Sequence, residues 1–353
     1  HLGDANAAFQ AYLANGITAV RDMYPEFPLQ VVAQWRTRPD LPRLAIPGFL
    51  DGPLMLSGGL PPPGAYAVGN ATEARNAVWF IAQSGYDFIK VYNSLPREAY
   101  FSIAEQARAI GIPFAGHVPE AVSPLEASDA GQRSQEHLIN ILLACSDEEE
   151  QLRAERVQVM TTDRLSGEQR MRELGFPNPA PLMKSYNPEK AQKLFAAFVK
   201  NGTWQTPTLS LIKSFLDEKV DLRPYVYLRD LDAEGLAGFR ARLAMLLDRY
   251  KILVRDMHKA GVEFLAGTDS GPQTPNRPGS SLHDELELFV EAGLTPAEAL
   301  RTATLNPARY FRVDADAGTV EVGKSADLVI LDANPLADIK ATRKIRGLML
   351  RGV

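Results

Sequence analysis

"YDFIKVYNS", Tyr86 to Ser94, decides how this chain is read. Phe88, Ile89, Val91 and Tyr92 flank a single lysine, and an apolar run of this kind marks a strand covered on both faces, as in a parallel sheet. Lys90 breaks the run. A buried, unpaired ammonium is costly, so burial pushes its pKa down and leaves the amine partly neutral. A lysine in that place needs either a carboxylate partner or a use for a neutral amine.

On both sides of this stretch, short β-branched runs alternate with helical patterns, the signature of parallel βα units. "ITAVRDM" (Ile17 to Met23) follows the helical "ANAAFQAYLANG", and "LPRLAIPGFL" (Leu41 to Leu50) is a second candidate strand. "DFIKVY" leads into the helical "PREAYFSIAEQARAIG". "IPFAGHV" (Ile112 to Val118), "RSQEHL" (Arg133 to Leu138), "TWQTPTL" (Thr203 to Leu209) and "VEFLAGTDSG" (Val262 to Gly271) complete the series. With His1 taken as the last residue of a further strand, the pattern predicts an α/β fold, a TIM-like (β/α)8 barrel over residues 1–314. Two charged, helical-looking insertions, Ser146 to Asn201 and Phe215 to Gly261, separate the last three strands. Long βα connections of this type form lids and pockets, or decorate the surface. From about Ala315 to Val353 the texture becomes short strands and turns, a small β portion.

The 353 residues are 45% hydrophobic and 23% charged, an ordinary globular mix, with a net charge of -5 and no basic run. That argues against nucleic acid as the main partner. No apolar run is long enough to span a membrane. The one cysteine, Cys145, excludes an intrachain disulfide framework. The sequence does not fix the oligomeric state, and a homo-oligomer is left open. The chain opens "HLGDANAAFQ" with no initiator Met and no signal pattern, so it reads as starting inside a domain, and localisation is not legible.

"GTVEVGKS", Gly318 to Ser325, matches the phosphate-loop pattern letter for letter. A phosphate loop needs a helix after it, so that helix N-terminal amides face the phosphates. Here "VEV" is a β alternation and "ADLVIL" continues as strand, so nucleotide binding is the weakest reading.

Histidine is the commonest metal ligand, and the chain has only five: His1, His117, His137, His258 and His283. His117, His137 and Asp269 end their strands, and Lys90 lies near the end of its own. In a βα barrel those ends meet on one face, where active sites are built. Each residue has a plain alternative: a satisfied histidine, a helix cap at Asp269, a carboxylate-paired lysine. Their common position on successive strands favours a shared cavity. A neutral Lys90 can add CO2 to give a carbamate, a carboxylate on a long stem suited to bridging two metals. Tyr92, two residues on, shares the strand face of Lys90, and His283 opens "SLHDELELFVEAG". Both are candidate substrate contacts, with packing as the alternative. His258 sits near a helix C-terminus and is assigned no chemistry.

These motifs resemble the amidohydrolase superfamily almost end to end. The resemblance implies a binuclear centre of two divalent metals, with zinc the expected ion. It implies a carbamylated Lys90 as the bridge, His117 and His137 on one metal, and Asp269 with His1 on the other. His1 looks like the second member of a His-x-His pair whose first member is missing. The chain is therefore expected to be a fragment. Asp269 is implied as the catalytic proton acceptor. The tail, residues 315–353, is similar to part of the family's β-sandwich. "DFIKVY", "FAGHVP", "QEHL", "PTL", "AGTDSG" and "LHDELELFVEAGLTPAEALRTATLNPA" look like the imidazolonepropionase-related branch, which includes prolidase-like dipeptidases. The implied function is amide hydrolysis of a small molecule, a Xaa-Pro-like dipeptide or an N-acyl amino acid. The alternatives are a cyclic-amide or lactone hydrolase, and a truncated homologue without activity.

Overall fold

Among the described residues, ten short strands alternate with helices: β1 (Ala19–Arg21), β2 (Arg43–Ala45), β3 (Pro47–Asp51), β4 (Ala65–Ala67), β5 (Phe88–Val91), β6 (Phe114–Gly116), β7 (Ser134–Glu136), β8 (Trp204–Thr206), β9 (Leu328–Leu331) and β10 (Ile345–Met349). The computed structural model describes residues 5–53, 63–162, 164–174, 176, 178–225, 228–271 and 274–352, with side chains 168 and 171 excepted. His1 lies outside them. Six strands form one parallel sheet in the order β4-β3-β5-β6-β7-β8. β1 and β2 form a separate parallel pair, and β2 runs into β3 with only Ile46 between them. Phe264 extends the far edge by one parallel bridge to Gln205.

The two ends of this arrangement meet in the interior. Arg21 of β1 donates to Ser134 Oγ at 2.9 Å and Glu136 Oε2 at 3.1 Å, both on β7, and to Thr206 Oγ1 of β8 at 3.3 Å. The strands therefore wrap around a shared core. Glu136 is only 3% exposed there. Removing one partner of a buried pair strands the other's charge, at a cost of about 3–5 kcal/mol. Arg21→Met should lower unfolding stability in urea by that much, and Arg21→Met/Glu136→Met should recover most of it. A single-variant loss below about 1 kcal/mol, the scale of an exposed pair, would show that water reaches Glu136.

Helix packing decides where Lys90 points. Asn70 caps helix Ala71–Ser84 by accepting from the Thr72 and Glu73 amides, and Gly85 ends it at a φ of 89°. Pro96 opens helix Arg97–Ile110, and Gly111 ends it at a φ of 83°. Their buried faces, among them Ala74, Val78, Ile81, Ala99, Ile103 and Ala107, pack with Ile89 and Val91 of β5. Side chains alternate along a strand, so Lys90 points the other way, into the wrapped interior.

The structure departs from the sequence reading in three places. Leu41 to Leu50 is two strands, because Ile46 leaves the ladder to bond its amide to Asp87 Oδ2 at 2.6 Å. Val262 to Gly271 is not a regular strand: Ala266 gives its amide to Thr302 O at 2.9 Å, and Asp269 is left-handed at a φ of 50°. β4 was not expected, since three residues carry no periodicity. Both insertions are helical, with Glu149–Thr161, Gly167–Leu174, Pro179–Lys184 and Pro188–Asn201 in the first and Ala233–Lys259 in the second. At the C-terminus β9 and β10 pair antiparallel around the 3-10 turn Ile339–Arg343. Residues 318–325 form turns leading into β9. Lys324 Nζ is held by Asp314 O at 2.8 Å and Thr319 Oγ1 at 2.5 Å, so this is no phosphate loop.

Candidate functional site

Lys90 is 2% exposed, paired in register with Phe49 on β3 and Ala115 on β6. Burial pulls its pKa down to about 8. The carboxylates of Glu136, Asp269 and Asp51 pull it back toward the charged form, and Arg21 pushes it further down.

His117 follows β6 directly, and its amide bonds Val91 O at 3.0 Å. Gly116 makes that approach possible: its φ is 135°, and a Cβ there would sit 2.2 Å from Val91 O. His117 Nδ1 bonds Asn93 Oδ1 at 2.6 Å. An amide oxygen only accepts, so this Nδ1 carries the hydrogen and Nε2 keeps its lone pair. Burial, then the charge of Lys90 and His137, hold its pKa well below the usual histidine value. His137 leaves β7 at a left-handed φ of 63°, with its amide on Thr206 O at 2.8 Å and Nδ1 against Thr208 Oγ1 at 2.7 Å. Burial also lowers its pKa, against the opposing pull of Asp269. The two imidazoles meet edge to face with centroids 4.7 Å apart.

Asp269 acts electrostatically on both Lys90 and His137, and so belongs to the same cluster. Thr274 Oγ1 donates to its backbone carbonyl at 2.9 Å. Gly267 lets this run lie against β8, since a Cβ would meet Thr206 Cγ2 at 2.4 Å. Tyr92 lies over His117 with centroids 4.1 Å apart, and Lys90 Nζ is 5.6 Å from its ring centre.

Lys90, His117, His137, Asp269 and Tyr92 are thus brought together, while His1 is outside the described residues. His283 is elsewhere. It is buried with Nδ1 on Thr342 Oγ1 at 3.0 Å, and the charged groups acting on it are Arg343, Asp284 and Glu287. It joins helix Ser280–Glu291 to the 3-10 turn. His258 pairs with Glu298 at 3.3 Å, away from the cavity.

The sequence reading missed the residues that support these groups. Asn93 was inside the quoted stretch and Glu136 inside "QEHL", but polar support across strands has no periodicity to betray it. The first insertion also reaches the site. Arg156 grips buried Glu120 through Nε at 2.7 Å and Nη2 at 2.9 Å, and Glu120 N bonds Asn93 O at 3.3 Å. Met160 and Leu174 of the insertion pack with Tyr92.

Among the described residues, no three His, Cys, Asp or Glu side chains gather closely enough to hold an ion. His117 presents Nε2, and His137 has its Nδ1 fixed by the Thr208 hydroxyl. Metal ligation needs neutral imidazole with its other nitrogen fixed, and both rings meet that condition. The donor set fits a metal on one condition. Further acid ligands must come from Asp269 and from Lys90 itself, because a lysine ammonium would repel the ion.

Residues 183–353 match the model of the Amidohydrolase family. Ochratoxinase of Aspergillus niger is 37% identical over 102 residues, 28% of this chain and 20% of that protein. Imidazolonepropionase of Sphingopyxis alaskensis is 39% identical over 87 residues, 24% of this chain and 21% of that protein. The matched stretch therefore spans about a fifth of the length of these relatives. A Xaa-Pro dipeptidase solved with methionine in its active site superposes with a TM-score of 0.66 at 19% identity, covering 99% of this chain and 77% of that one. The α/β fold of this chain is shared with that structure.

Proposed function

We propose, on the match of residues 183–353 to the Amidohydrolase family model, that the chain is a metal-dependent hydrolase of amide bonds. Its substrates in this reading are Xaa-Pro-like dipeptides or N-acyl amino acids. The observation that carries it is a buried lysine of lowered pKa set in one cavity with two neutral imidazoles and an aspartate. Amide hydrolysis is supported by the family match. The dipeptide choice rests on the motif resemblance, since the dipeptidase likeness supports the fold alone.

In this reading residues 1–314 form the barrel and 315–353 part of a small β-sandwich. His117 and His137 would hold one divalent metal, zinc by expectation, and Asp269 with His1 a second. Lys90, as its CO2-derived carbamate, would supply a further carboxylate oxygen ligand. Bound metals supply a water made acidic at neutral pH and a polarised carbonyl. Asn93 and Thr208 hold the imidazole rings. Asp269 takes the proton of the attacking water and hands it to the leaving amine, which would otherwise depart as a poor anion. Tyr92 and the Met160–Leu174 wall border the space beside His117 and shield it from bulk water.

The imidazolonepropionase relative favours a second reading, opening of a cyclic amide by the same residues. A panel of Xaa-Pro dipeptides, N-acyl amino acids and cyclic amides, offered to protein loaded with zinc and bicarbonate, separates the two. Release of free amino acid from the linear substrates is expected. Ring opening alone would move the assignment to the cyclic class. No turnover by metal-loaded protein would make the chain an inactive homologue.

A further inference from the structure

Glu285 is 0% exposed, on helix Ser280–Glu291. Its carboxylate ends on the start of another helix, Leu209–Leu216. Oε1 accepts the Leu209 amide at 3.0 Å and Oε2 the Ser210 amide at 2.6 Å. The first amides of a helix have no partner inside it, and a threonine at the N-cap ordinarily supplies one through its hydroxyl. Thr208 occupies that N-cap and makes no side-chain cap bond. Its backbone is left-handed, with φ 50° and ψ 46°, and its hydroxyl is turned to His137 Nδ1 at 2.7 Å. Asn276 ties the same turn to the neighbour of Asp269, bonding Ser210 Oγ at 3.4 Å and Thr268 O.

We propose that Glu285 is a positioning residue for His137: it caps helix Leu209–Leu216 from outside, and so frees the Thr208 hydroxyl to hold the imidazole. A left-handed threonine costs free energy that the surroundings must supply, and two charge-assisted bonds from a buried carboxylate are strong enough to do so. Burial raises the pKa of this carboxyl to about 7, and the Ser210 and Leu209 amides pull it back toward the charged form. The inference rests on the reading of His137 as a residue of the working site.

The test is Glu285→Gln, which puts an amide N–H where one of the two backbone donors now points. Five histidines make the ring signals of selectively 15N-labelled metal-free protein few enough to assign by substitution. The His137 ring signals should shift while those of His117 stay in place. In the metal-loaded enzyme kcat should fall about ten- to a hundredfold, with KM changed less than about twofold. Thr208→Val, which removes only the hydroxyl, should move the His137 signals in the same way. A loss of kcat with unaltered His137 signals would reduce Glu285 to a structural role and overturn the proposal, as would no change in either. If Glu285→Gln does not fold, Glu285→Asp carries the same readouts, drawing the carboxylate back by one methylene. Movement of the His137 signals in a protein that hydrolyses no amide would refute the proposed function and leave this inference standing.

Discussion

Asp269→Asn should cut kcat by about a thousandfold while the protein stays folded and keeps most of its metal. Asparagine has the same shape and keeps one oxygen donor, but it cannot take a proton. The backbone argues for a clean comparison, because Asp269 sits at a φ of 50° and asparagine tolerates that region as well as aspartate does. The Thr274 contact is to the backbone carbonyl and survives the change. Loss of the carboxylate charge should also lower the Lys90 and His137 pKa values further, since Asp269 now pulls both upward. Steady-state turnover on the best linear substrate, with metal measured by elemental analysis on the same sample, decides the matter. Undiminished turnover would remove Asp269 from the chemistry. Loss of turnover together with all metal would make it a ligand first.

Lys90→Met should lower metal from about two per chain to one or none, with at least a hundredfold loss of activity. Methionine fills the same space without an amine, so no carbamate can form. The pKa of about 8 makes the wild-type behaviour pH-dependent. CO2 adds to the neutral amine, a minor species at pH 7 and the major one at pH 9, with release of a proton, so metal loading of stripped protein at fixed bicarbonate should be more complete at the higher pH. Stability follows the same group. The folded pKa lies below the ordinary lysine value of 10.5, so the buried ammonium destabilises the metal-free protein fully below pH 8. That penalty, roughly 3 kcal/mol, fades as pH rises from 8 to 10.5, because the folded state gives up its proton first. Metal-free Lys90→Met should therefore be more stable than wild type at pH 7, and the difference should shrink across that window. A variant that keeps about two metals and full activity would return Lys90 to the status of a strained strand residue.

The alternation of apolar runs with amphipathic segments fixed the α/β class, because periodicity is written residue by residue in the chain. The same local logic placed Lys90, His117 and His137 at or just beyond strand ends, and rejected "GTVEVGKS" as a phosphate loop from the strand that follows it. Strand boundaries were less legible. Leu41 to Leu50 breaks at Ile46 because of a carboxylate forty-one residues away, and Val262 to Gly271 loses its ladder to Thr302. A histidine at a helix start carries no local mark of what it will touch, and in the fold His283 Nδ1 meets Thr342.

What the sequence determined by itself was the set of reactive groups and the rows that carry them. Tertiary structure decided what those groups are. Burial lowers the lysine, Asn93 and Thr208 hold the imidazoles, Arg21 crosses the interior to balance Glu136, and Glu285 caps a helix from outside so that a threonine can serve a histidine. Each of these effects depends on the distance between residues far apart in the chain and on the exclusion of water between them. Neither quantity exists until the strands have closed on one another.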